Sequence, residues 1–284
     1  SDKLEIIVPK AYAIDARGRN GDFDIRDTVG PVDVYSDNAG VRLDNLQGAV
    51  KVETKRSDII RATQLKGSLE LRGKGSDVEL ASIAGPVIVN GSYSGTIDLR
   101  DLSKPVHVES QQMNFDAERI PGEIRTTLSE LVGSNLVGPI RIATTRGRDI
   151  KLTGFTQSLD VEVARGDISL QPGGLPLAKM NVKTRSGDID LALPEQAKFE
   201  LKGSTTHGEA TNDWGDALHV EADKHGSILS GDVGQGPILN LTTDRGGFTI
   251  RKLGAEHKEA AERKEAPERK EIPEAKKVPG TRVE

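Results

Sequence analysis

Six aspartates recur at nearly the same point of a repeating pattern: Asp22, Asp58, Asp77, Asp149, Asp167 and Asp188. A column of carboxylates is the raw material of a calcium ladder, because calcium takes many oxygen ligands. Calcium-binding β-rolls need a short repeat with paired glycines and an Asp in every turn, a density this sequence lacks. Asp as a turn residue, bonding nearby backbone, is the simpler expectation. His207 and His225 each precede a glycine and lie 18 residues apart. Two imidazoles could begin a zinc site, but no third ligand is evident and a solvated turn column accounts for both. Arg165-Gly166-Asp167 spells an integrin-recognition tripeptide. It occupies an ordinary repeat corner, where Arg146, Arg185 and Arg245 sit in similar places. Acids and bases spread along the chain could also suggest a polysaccharide lyase, but such a groove needs convergent carboxylates and Arg or Lys. There is no Cys, no Gly-x-Ser-x-Gly elbow and no phosphate-binding loop. No catalytic residue, cofactor or metal ligand is therefore assigned. Gly21, Asp22, Asp58, Asp77, Asp149, Gly166, Asp167, Gly187 and Asp188 are read as structural turn residues.

The elements that carry these residues are short strands. Arg185-Ser186-Gly187-Asp188 is a polar corner, followed by Ile189, Leu191 and Leu193 on alternate positions. Strict alternation is the period-2 signal of a half-buried strand. The unit recurs with first apolar residues 23, 41, 59, 78, 97 and 115, which are 18 or 19 apart. A second series lies half a period away, at Gly30-Pro31-Val32, Gly48-Ala49-Val50, Gly67-Ser68-Leu69 and Gly85-Pro86-Val87, and continues at Val106, Ile124 and Ile140. Each unit thus holds two strands and two turns, and a fixed period of this kind marks a stacked repeat fold. Like units favour parallel stacking, with Val32, Val50, Leu69, Val87, Val106, Ile124 and Ile140 as one apolar column. The fold class expected is all-β, a flattened parallel β-solenoid of about twelve two-strand coils. Leu4–Val8 reads as an entering strand. Between residues 110 and 147 the register loosens, Leu128–Val132 reads as a strand or a helical turn, and Pro172–Pro176 is an inserted loop.

Composition agrees. Of 284 residues 31 are Gly, none is Cys and 3% are aromatic, so the core is thin and filled by Val, Ile and Leu. A net charge of −5 with both signs interspersed disfavours a nucleic-acid partner. No run of 18 apolar residues is present, so no membrane-spanning helix is expected in this sequence. Ser1 is not a natural start and the first Met is Met113, so any export signal or anchor would lie upstream. The solenoid domain is expected over 1–254. Residues 255–284 hold eight acidic and eight basic side chains with recurrent Pro, which predicts a disordered, solvated tail.

Ile7-Val8-Pro9-Lys10, Ala13-Ile14-Asp15-Ala16 and Asn20-Gly21-Asp22-Phe23, with Arg185 to Pro194 and Thr206-His207-Gly208-Glu209, resemble a bacterial adhesin-like β-strand repeat family, a domain of unknown function. The resemblance covers roughly residues 4–253. It implies a non-enzymatic protein of the cell envelope or extracellular space and supplies no catalytic residues; the partner expected is an unknown surface ligand, a glycan or protein. A monomeric binding module is the first reading. A self-assembling envelope scaffold is the alternative, and a polysaccharide-active β-helix enzyme the third.

Overall fold

A computed structural model describes residues 4–110, 113–222 and 224–253. Alternation and corner glycines act together from the first coils. These are β1 (Ile14–Asn20) with β2 (Phe23–Arg26), β3 (Val32–Asn38) with β4 (Val41–Asp44), β5 (Val50–Thr54) with β6 (Ile59–Leu65), β7 (Leu69–Gly75) with β8 (Asp77–Ile83), and β9 (Val87–Tyr93) with β10 (Ile97–Leu102). Odd strands pair in parallel in one sheet and even strands in the other, so Ile14, Val32, Val50, Leu69, Val87 and Val106 lie in register. Facing them, Phe23, Val41, Ile60, Val78 and Ile97 form the second column. Ile60, not Ile59, holds that place; Ile59 pairs with Asp77 and is half-buried.

Two corner devices keep the coils in step. Residues in left-handed backbone recur once per coil at Asp27, Asn45, Gln64, Ser82 and Asp101, with φ between 49° and 56°. Asp and Asn tolerate this region best among non-glycine residues. The residue after each turns inward, so Leu46, Leu65, Ile83 and Leu102 make a third buried column at one edge of the core. Three residues further along the same connections Gly30, Gly48, Gly67 and Gly85 stack. A Cβ on Gly48, Gly67 or Gly85 would overlap the carbonyl of the glycine one coil below, which explains why the half-period series begins with glycine.

The repeat then breaks. β11 (Val106–Glu109) is followed by β12 (Met113–Ala117), β13 (Ile120–Thr126) and β14 (Glu130–Ser134). β12 runs antiparallel to β11, and β13 antiparallel to both β10 and β14. Ile124 therefore belongs to the second sheet, opposite Leu99, and Ala117 takes its expected place beside Val106. Phe115 likewise sits in the first sheet, beside Val108 and Ile142. Residues 130–134 form a strand, not a helical turn. Parallel winding resumes with β15 (Ile140–Gly147) and β16 (Asp149–Phe155), β17 (Leu159–Arg165) and β18 (Ile168–Pro172), and β19 (Met180–Ser186) and β20 (Ile189–Leu193).

The last coils are out of sequence. β21 (Phe199–His207) and β22 (Ala210–Asn212) are followed by a 3-10 turn at Gly215–Ala217, β23 (His219–Ala222), β24 (Ser227–Val233), β25 (Ile238–Arg245) and β26 (Phe248–Lys252). β25 lies between β19 and β21, and β26 between β20 and β22. β24 and β23 add antiparallel on the outer side of β21. The described residues form sheets of 14 and 12 strands with about nine parallel turns. The antiparallel strands account for the difference from twelve. Among the described residues no helix is long and apolar enough to cross a membrane.

The two ends differ. Trp214 packs edge-on against Phe199 at 5.2 Å with Lys252 over its ring, covering the last coil. At the other end Ile14, Ala16, Phe23 and Ile25 are only half-buried. Leu4–Val8 is not a strand: Leu4, Ile6 and Ile7 are 82%, 72% and 91% exposed. The compact unit ends at Lys252, and the expected disordered tail at 255–284 lies outside the described residues.

Candidate functional site

The corner aspartates engage the neighbouring coil rather than their own turn. Asp22 accepts the Gly40 N–H at 3.0 Å, and Asp77 accepts that of Thr96 at 2.7 Å. Asp149, Asp167 and Asp188 continue the arrangement, accepting from Asp167 at 2.9 Å, Asp188 at 2.8 Å and Gly247 at 2.7 Å. Asp58 is exposed and takes no part through its side chain, although its carbonyl accepts the Asp77 N–H at 3.0 Å. Alongside this ladder Gly166, Gly187, Gly246 and Gly208 stack at positive φ. Thr184, Thr243 and Thr205 donate to the carbonyls of Gly166, Gly187 and Gly246 at 3.4, 3.1 and 2.7 Å. Gly21 has the same positive φ at the first corner.

These contacts place the other sequence candidates. In Arg165-Gly166-Asp167 the Asp carboxylate already holds the Asp188 N–H, so the tripeptide is a corner of the ladder. His207 and His225 are exposed with ring centroids 6.2 Å apart, as neighbours across an antiparallel pair rather than stacked coils. Among the described residues no three His, Asp or Glu side chains converge as metal ligands do.

Both outer faces carry charge in registered rows. Asp24, Arg42, Arg61, Glu79 and Asp98 follow one another across five strands. Neighbours pair locally, as in Arg26–Asp24 at 2.6 Å, Arg61–Glu79 at 2.6 Å and Arg100–Asp98 at 2.8 Å. On the other face Asp15, Arg17, Asp33, Tyr35, Lys51 and Arg72 line a shallow polar groove of about 370 Å³. His107 Nδ1 lies 2.6 Å from Asp116 and its Nε2 4.0 Å from Glu109.

One arrangement escaped the sequence reading. Arg148 occupies the position held by glycine in Gly166-Asp167-Ile168 and Gly187-Asp188-Ile189. Arg146, Arg165, Arg185 and Arg245 are exposed, but Arg148 is only 6% exposed. Its Nη1 donates to the Thr126 hydroxyl at 2.7 Å and meets the Met113 sulfur at 2.8 Å. Burial pushes its pKa down. Its side chain lines a cavity of about 170 Å³ with Tyr93, Ile97, Met113, Thr126 and Leu128. The Tyr93 hydroxyl is buried without a hydrogen-bond partner, and desolvation pushes its pKa up to about 12, so it stays protonated and able to donate. The cavity lies where β12–β14 break the repeat. An arginine in a column of glycines was the available signal.

No curated protein and no solved structure gives a significant match to the chain. Residues 134–251, from the end of β14 into β26, match the family model described as Toastrack DUF4097, a β-solenoid-like domain of unknown function. The match is narrower than the resemblance over 4–253, and it makes this stretch of the chain similar to a Toastrack domain.

Proposed function

We propose that the chain is a non-enzymatic, adhesin-like binding module of a bacterial cell envelope, taking a polar glycan or protein on its outer faces. The observation that carries this reading is the pair of broad, strand-ribbed faces whose acids and bases lie in registered rows. Rows of this kind repeat at about 4.8 Å, so a polymeric ligand meets many similar weak contacts rather than one deep pocket. The groove is lined by acids and bases of both signs, Asp15, Arg17, Asp33, Lys51 and Arg72 among them, which suits hydrogen bonding to hydroxyl- or amide-rich surfaces. Face carboxylates are engaged singly by adjacent bases, an arrangement that serves binding better than acid–base chemistry.

A monomer fits the first coil. Its edge strands present Asp15–Arg17 at 2.9 Å and Asp24–Arg26 at 2.6 Å, and charged edges discourage strand addition. At the far end β23 is short, with all four residues exposed. The test is retention of labelled protein on isolated envelope polymers, for the native chain and a Lys51→Glu/Arg72→Glu double variant. Retention on at least one polymer, lost in the variant, is expected. Absence of retention on every fraction, or end-to-end filaments in sedimentation, would remove this reading, the latter in favour of a scaffold.

A further inference from the structure

We infer that the cavity beneath Arg148 binds a small organic monoanion, a short-chain carboxylate, with its head group on Arg148 and Tyr93 and its stem against Ile97, Met113 and Leu128. The site is independent of the outer faces. Among the described residues no carboxylate lies within ion-pair distance of Arg148. Its bonds go to a neutral hydroxyl and a thioether. A guanidinium taken out of water without a counter-charge is destabilising, and its planar fork matches a carboxylate. Tyr93, 7% exposed, adds a second unanswered group to the same cavity. A buried hydroxyl without a partner forfeits the hydrogen bond it made to water. One acceptor group placed here would answer both.

Size and charge narrow the ligand. At about 30 Å³ per water, a cavity of about 170 Å³ holds roughly five waters, or a carboxylate with a stem of a few carbons. Arg148 is the single cation of the lining, so one negative charge is matched and a phosphate dianion is not. The lining also holds Ser92, Ser94, Ser110, Thr126 and Thr127, but its apolar side, Ile97, Met113 and Leu128, favours a stem over a bare inorganic ion. Access lies past Leu128, 50% exposed, and the exposed Ser94.

The test uses the full chain, titrated calorimetrically with sodium butyrate at constant ionic strength, with sodium chloride and inorganic phosphate as controls. The Arg148 Nε–H resonance is followed in parallel. Saturable one-to-one binding is expected at a Kd of about 1 mM or tighter, with a shift of that resonance. Arg148→Met should abolish binding, and Tyr93→Phe, the gentler change, should weaken it about 10-fold. A folded far-ultraviolet spectrum qualifies each variant. The proposal is overturned by no heat and no resonance shift up to about 50 mM butyrate, by equal binding in Tyr93→Phe, or by phosphate binding in preference to butyrate.

Discussion

The carboxylate of Asp167 accepts the backbone N–H of Asp188 at 2.8 Å, and Asp188 repeats the contact with Gly247 at 2.7 Å. The second bond spans 59 residues, because β25 and β26 thread back beside β19 and β20. The corner chemistry is thus conserved in space where it is broken along the chain.

Asp167→Ala should remove one charge-assisted bond at an exposed corner, about 1 kcal/mol after solvent screening. That corresponds to a fall of about 2–4 °C in Tm. Asp58→Ala, outside the ladder, should stay within about 0.5 kcal/mol. Calorimetric melts of the two variants, with and without calcium, check this; calcium should leave both unmoved. Equal effects would deny the ladder a structural role.

Gly67→Ala places a methyl against the Gly48 carbonyl in a close-stacked column, whereas Gly174 has nothing within 4 Å of its Cβ. The first should be destabilised by on the order of 3 kcal/mol and the second by less than about 1. Urea midpoints at matched m-values measure the difference.

Tyr93 makes stability depend on pH at the alkaline end. Its folded pKa is raised from 10.0 to about 12 by desolvation, so unfolding releases its proton once pH exceeds about 10. The contribution is fully present below that value and is lost as pH rises toward 12, by up to about 2–3 kcal/mol. The difference in stability between the native chain and Tyr93→Phe should therefore shift in favour of the variant from pH 9 to pH 11. A constant difference would mean that the hydroxyl finds water.

Period-2 alternation made the core columns legible, since Val32, Val50, Leu69 and Val87 differ little in shape and spacing. Stacking carbonyls made the glycines legible too. The reversal at β12–β14 was not, because Met113–Ala117 alternates as well as any parallel strand and direction leaves no trace in alternation. Nor was the out-of-order rung, since β25 meets its partners through contacts far apart in sequence. Leu4–Val8 has the apolar content of a strand but, among the described residues, no partner strand to pair with. Arg148 was visible only as a turn residue; that it turns inward follows from the reversal, which removes the regular corner beneath it.

If the cavity at the break is a ligand site, the repeats carry the fold and Arg148 is kept for something other than folding. The most direct measurement is the ligand-free Tm of Arg148→Met against the native chain. Replacing a buried, uncompensated charge by an apolar side chain of similar length should leave Tm unchanged or raise it, with several kcal/mol of desolvation to relieve. A fall of more than about 5 °C would make Arg148 a structural strut through Thr126 and Met113, and would contradict the claim.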